Sequence, residues 1–210
     1  MRLLTTAALC VSVLAAAPTR ADEPEATAPG CTVNRIATDA AGVGSFTSEC
    51  RWAVAFEFVE RVFSHDKLLE DASSKLGQGV DLGDGRSINV HTPGFPIADR
   101  QSTLESQREV LPGGGFRSRY WQSARQAPLE PGRVQVAIDE GVWEVRPAGD
   151  GGTTVHYEMR YDPGGNLAPW IVRRFEAKGI AGSLDDMRRA AKALAARATP
   201  ASAAEPHTSQ

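Results

Sequence analysis

Residues 153–161 alternate with a period of two. Val155, Tyr157, Met159 and Tyr161 fall on one side, and Thr154, His156, Glu158 and Arg160 on the other. That pattern makes a strand with one buried and one wetted face, as antiparallel sheets require. Asp162-Pro-Gly-Gly-Asn166 stops the alternation, and its two glycines supply the backbone freedom for a tight reversal. Apolar residues then recur at helical spacing, first Leu167, Trp170, Ile171 and Phe175, later Leu184, Met187, Ala191 and Leu194. Asn166 is the expected N-cap. Gly179 and Gly182 are expected to interrupt the helix, and Ser183-Leu-Asp-Asp186 resembles a capped restart. A half-buried strand joined by so short a turn to an amphipathic helix must share a core with it. This junction therefore constrains the fold more than any other stretch.

The preceding chain supplies the rest of a sheet. Cys31–Ile36 and Ser45–Arg51 read as two strands around an Ala-Gly-Val-Gly turn. Phe58, Val59, Val62 and Phe63 then share one helical face. Ser87–His91, Gln101–Val110 and Phe116–Gln122 read as successive strands, and the glycine-rich segment 77–85 as turns and strand edges. Residues 133–146 form another strand region, with Val134, Val136 and Ile138 on one face and a bulge expected at Glu140-Gly141. Strands, a helix, a run of strands and a long last helix make an α+β chain, in which the last helix must cover a single curved sheet.

The ends differ from this core. Arg2, the apolar run from Leu3 to Ala17 and the small residues before Asp22 predict a secretory signal peptide over 1–21, too short for a good membrane span. Residues 22–30 and 198–210 lack apolar periodicity and are expected to be a disordered leader and tail, leaving a single domain at 31–197. Localisation is accordingly expected to be periplasmic or secreted. Removing Arg2 and Arg20 takes Lys plus Arg from 23 to 21 against 26 acidic residues, a net charge of about −5. That balance argues against nucleic acid, and against an anionic membrane held by long-range attraction, but leaves room for a transient apolar membrane contact. The oligomeric state is not legible. In an oxidising compartment Cys31 and Cys50 are expected to form a disulfide across the first hairpin.

Three stretches carry a resemblance: Pro93-Gly-Phe-Pro-Ile-Ala-Asp-Arg100, Gly141-Val-Trp143, and Asp162-Pro-Gly-Gly-Asn-Leu-Ala-Pro-Trp-Ile-Val172. In this order the sequence resembles the START-like branch of the helix-grip (Bet v 1-like, SRPBCC) superfamily over roughly Phe56 to Leu194. That family places a Pro-x-Pro…Arg-Asp element before a strand and a Gly-Gly-x-Ile-Pro-x-Trp-Leu-Val-Asn turn into the last helix. Here Gln101 stands where the family has the acid, Pro169 comes one residue late, and Arg173 replaces Asn. The resemblance implies a curved antiparallel sheet wrapped around the long C-terminal helix, with an elongated cavity between them that holds a lipid or other apolar small molecule.

No metal-ligand spacing joins His65, His91, His156 and His207, no nucleophile elbow occurs, and no cofactor motif is present. His156, on the outer face, reads as a solvated side chain. The candidate ligand-binding residues are Trp143, Tyr157, Met159, Trp170, Ile171 and Phe175 on facing sheet and helix, each also an ordinary core residue. Three arginines join them: Arg100, Arg108 and Arg119. Arg108 shares strand parity with Leu104 and Val110, so it is expected to face inward and to need a partner, either a carboxylate such as Glu140 or a ligand's polar end. A strand-edge ion pair is the plainer reading. The leading expectation is an exported, non-catalytic binding protein. A cyclase- or hydrolase-like enzyme using Arg, Tyr or Glu as acid or base, and an interaction module with a filled core, stand as alternatives.

Overall fold

The computed structural model describes residues 26–38, 43–64 and 78–198, excepting the side chains of 38, 78, 169–170 and 173–177. The expected signal peptide, the turn at 39–42, His65, His207 and the tail from 199 onward lie outside the described residues. The strands are β1 (Ala26–Ala28), β2 (Cys31–Thr38), β3 (Gly44–Trp52), β4 (Gln78–Asp81), β5 (Arg86–His91), β6 (Arg100–Val110), β7 (Phe116–Gln122), β8 (Val134–Gln135), β9 (Ile138–Pro147) and β10 (Thr153–Asp162). The helices among the described residues are α1 (Phe56–Ser64) and α2 (Pro169–Ala198).

The strands make one open sheet in the order β1-β2-β3-β10-β9-β7-β6-β5-β4. Every pairing is antiparallel except that of β8, which lies parallel to the first residues of β6. Chain order and sheet order part company at β3, whose neighbour β10 comes from the far end of the sequence. That pairing places the last strand in the middle of the sheet, so the helix that follows it must cross the sheet's inner face. The C-terminal half of α2 does so against β1, β2, β3 and α1. Leu184, Met187, Ala191 and Leu194 pack there with Phe46, Trp52, Val59, Val62 and Val155, all buried. The period-two face of β10 and the helical stripe of α2 thus meet in one core, an α+β arrangement of a sheet around a long terminal helix.

Cys31 and Cys50 are directly opposite in the β2–β3 register and form a disulfide. The Trp52 indole N–H points at the Cys31 sulfur, 3.2 Å away. The sheet extends further than expected at both edges. Ala26–Ala28, read as leader, pairs with β2 and packs on the core. Gln78–Asp81, within the segment read as turns and strand edges, forms a full edge strand in a hairpin with β5.

Three local expectations are corrected. Helix α2 runs unbroken through Gly179 and Gly182 to Ala198; the buried stripe on both sides outweighs the roughly 1 kcal/mol that each glycine costs. It starts at Pro169, not after Asn166: the Ala168 carbonyl accepts the Val172 N–H, and proline suits the first helical position, where its missing N–H has no partner to lose. Finally, the β9–β10 register passes Glu140 and Gly141 without a bulge. The change of phase arises because the strand region is two strands, divided where the Ala137 N–H turns to the Asp162 carbonyl. The register shift that does occur lies between Arg35 and Ala37.

Candidate functional site

A cavity of about 310 Å³ lies where the sheet and the N-terminal half of α2 diverge. Tyr157, Met159 and Tyr161 of β10 form its floor, and Ile171, Val172, Gly179, Ile180 and Ser183 of α2 its roof. His91 to Pro93, Ile97 and Arg100, from the end of β5 to the start of β6, make one wall; Pro163 and Leu167 of the β10–α2 turn make another.

The turn is held in place by its glycines. Gly164 has φ +67°, and a Cβ there would overlap the Gln135 carbonyl. Its N–H is bound by the Asp162 side chain at 2.9 Å. The turn is thereby seated on β8, with Pro163 buried and facing the cavity.

Behind the floor is a layer of aromatic rings. Trp143 and Tyr157, cross-strand partners on β9 and β10, stack with centroids 3.6 Å apart and planes 9° from parallel. The Tyr157 hydroxyl meets that of Tyr120 at 2.6 Å and also donates to the Met159 sulfur at 3.4 Å. Gly141 makes room for this pair, since a Cβ there would lie 2.7 Å from the Tyr120 oxygen. Burial, above all other influences, pushes both phenols well above the ordinary tyrosine range, so both stay protonated.

The polar side of the cavity comes from β5 and β6, with Asp139 of β9 next to it but outside the lining. Arg100 and His91 face each other across the β5–β6 ladder. Arg100 is 4% exposed; one of its terminal nitrogens donates to the Ala98 carbonyl, and its Nε has no partner. Asp139, also buried, accepts from Ser102 at 2.6 Å and lies 3.7 Å from the His91 ring. Asn89 and His91 are in contact at 3.0 Å.

Of the residues singled out in the sequence, Arg100, Tyr157, Met159 and Ile171 line the cavity, and Trp143 supports it from behind. The side chains of Trp170 and Phe175 lie outside those described. Arg108 is exposed rather than buried, about eight residues and roughly 26 Å along β6 from Arg100, and makes the strand-edge ion pair that was the plainer expectation. There it pairs with Glu60 of α1 at 2.8 Å, donates to Ser64 at 2.9 Å and lies 3.7 Å over the Phe116 ring. Its partner is thus not Glu140, which pairs with Arg160 on the outer face. Arg119 is exposed on β7, on the opposite face from Phe116 and Tyr120, away from the cavity. His156 bridges Glu49 and Glu158 on the outer face; partial burial opposes its charged form, but hydrogen bonds to the two carboxylates raise its pKa. Among the described residues no cluster of side chains could hold a metal ion.

His91, Tyr161, Val172, Gly179 and Ser183 were not singled out. Tyr161 shares the alternating face of Tyr157 and Met159, so its signal was present. Val172, Gly179 and Ser183 fall on one helical stripe that the expected break at Gly179 concealed. His91 becomes visible only through its pairing with Arg100.

No known family profile matches the chain. An uncharacterised protein of Pseudomonas aeruginosa is 26% identical over 98 residues, 47% of this chain and 48% of its own length, so the match spans about half of that relative. Among solved structures, a STAR-related lipid transfer protein from Xanthomonas axonopodis matches with a TM-score of 0.68 at 19% identity, covering 81% of this chain and 98% of that one. Human STARD10 matches with a TM-score of 0.70 at 12% identity, over 80% and 71% of the two chains. The Zhui aromatase/cyclase from Streptomyces matches at 0.51 and 15% identity, over 77% and 99%. The sheet order, the closing helix and these likenesses together show that the chain has the START-like helix-grip fold.

Proposed function

We propose that this is an exported binding protein that holds one hydrophobic small molecule or lipid, non-covalently, in the cavity between the sheet and α2. The observation that carries the reading is the cavity itself, with Met159, Ile171, Val172, Leu167 and Ile97 on its walls and few polar groups. Apolar burial at about 25 cal/mol per Å² would supply the affinity, and the polar wall would set the orientation. The lipid transfer proteins of the same fold make the reading consistent. The Cys31–Cys50 disulfide supports export, and no helix among the described residues is long and apolar enough to cross a membrane. Phe95 is fully exposed on the loop whose Pro93 and Ile97 line the cavity, and we place the transient membrane contact there.

Two rival uses fit the geometry less well. A filled interaction module would have no void of this size. Acid–base catalysis favours groups that titrate near neutral pH, whereas burial drives Tyr157 and Tyr120 the other way. Native mass spectrometry of protein isolated from its own compartment, followed by exposure to a broad lipid panel, tests the reading. One bound small molecule per chain is the expected result. A protein that is empty as isolated and takes up nothing from the panel would overturn it.

A further inference from the structure

Arg100 is a buried cation. Among the described residues no Asp or Glu comes within ion-pair reach of it, although Arg86, Arg108, Arg117 and Arg146 meet carboxylates at 2.7–2.9 Å. Its Nε is unsatisfied, and one terminal nitrogen is spent on the Ala98 carbonyl. Gln101, which follows it, turns to the other face, donating to the Pro128 carbonyl at 2.9 Å and accepting from Arg133 at 3.0 Å. Asp139, the other buried charge nearby, is engaged by Ser102 and His91. A buried guanidinium in this state is costly, and a ligand's negative charge would offset that cost.

The cavity wall repeats the imbalance. Its lining includes Arg100 and, at the exposed rim, Lys178, and among the described residues no acidic side chain. The chain as a whole carries an acidic excess, with a net charge of −3. A positive wall inside an acidic protein selects for negative charge at one end of an otherwise apolar ligand. At about 310 Å³ the space is at the small end of ligand sites, suited to a single chain.

We propose that the ligand is a single-chain amphiphile with an anionic head group, a carboxylate or a phosphate monoester, and that Arg100 is its counter-ion. This rests on the cavity being a binding site, and the experiment separates the two claims. Calorimetric titration of the delipidated full chain would compare dodecanoate, dodecyl phosphate, methyl dodecanoate and 1-dodecanol. At least one anion is expected to bind roughly 10–100-fold tighter than the neutral pair, the range of a charge-assisted hydrogen bond, and the stronger anion identifies the head group. Arg100→Gln should bring the anion down to the level of the ester, and Arg100→Lys should restore part of the preference. Should Arg100→Gln fail to fold, the wild-type panel and Arg100→Lys still decide. Equal binding of anions and neutral compounds, or a preference that survives Arg100→Gln, would overturn the head-group assignment and leave the cavity reading intact. No binding by any of the four would overturn both.

Discussion

Gly164→Ala is expected to lower the melting temperature by roughly 6–12 °C, equivalent to about 3 kcal/mol in a chain of this size. Two effects add. The native φ of +67° lies where L side chains are strained, and the new methyl would overlap the Gln135 carbonyl. The loss should reach the site as well, because the displaced turn carries Pro163 and Leu167 on the cavity wall. Thermal denaturation by circular dichroism measures the first effect and ligand uptake the second. Gly179→Ala is the matched comparison: it lies inside α2, and an added Cβ there meets nothing within 4 Å. That variant should gain up to about 1 kcal/mol from helix propensity. A Gly164→Ala protein as stable as the parent would show that β8 yields to the turn, contrary to the tight seating described above.

Removing the disulfide is the second large effect. Cys31→Ser with Cys50→Ser opens a link between residues 19 apart in sequence. In the chain-entropy model a loop of that length is worth about 3 kcal/mol. The β2–β3 ladder would survive, but β2 is next to the edge of the sheet, covered only by the three residues of β1. The edge, with part of the surface that receives α2, would therefore loosen before the centre. Urea denaturation of the double variant against the oxidised parent, with amide exchange in 31–36, measures both effects. A loss below about 1 kcal/mol with unchanged exchange would mean that pairing and core packing alone hold this edge.

What could be read from the chain follows a physical division. The alternation of Val155 to Tyr161 and the apolar face of Val59 and Val62 were legible because each is set by a single element's own period. The Cys31–Cys50 bridge was legible because the two lie on neighbouring segments that a single hairpin sets opposite each other. Gly179 and Gly182 misled because local propensity opposes a helix that the core of Leu184, Met187 and Ala191 sustains. The split at Ala137 was hidden because alternation runs straight across it, and only the hydrogen bond to the Asp162 carbonyl divides the strands. The site was half legible for the same reason. Tyr157, Met159 and Ile171 follow from periodicity. His91 beside Arg100, the empty Nε of Arg100 and the pairing of Arg108 with Glu60 depend on contacts between residues 9 to 48 apart in sequence, which no local pattern encodes.

Gly179 also offers the most direct test of ligand binding, because it borders the cavity and a side chain placed there enters open space. Gly179→Phe should fill the cavity without disturbing the core beneath the C-terminal half of α2. Native mass spectrometry after incubation with dodecanoate and 1-dodecanol should find one molecule bound per wild-type chain and none on Gly179→Phe, with both proteins giving the same circular dichroism spectrum. Equal uptake by the two proteins would place the ligand elsewhere and contradict the assignment of this cavity as the binding site.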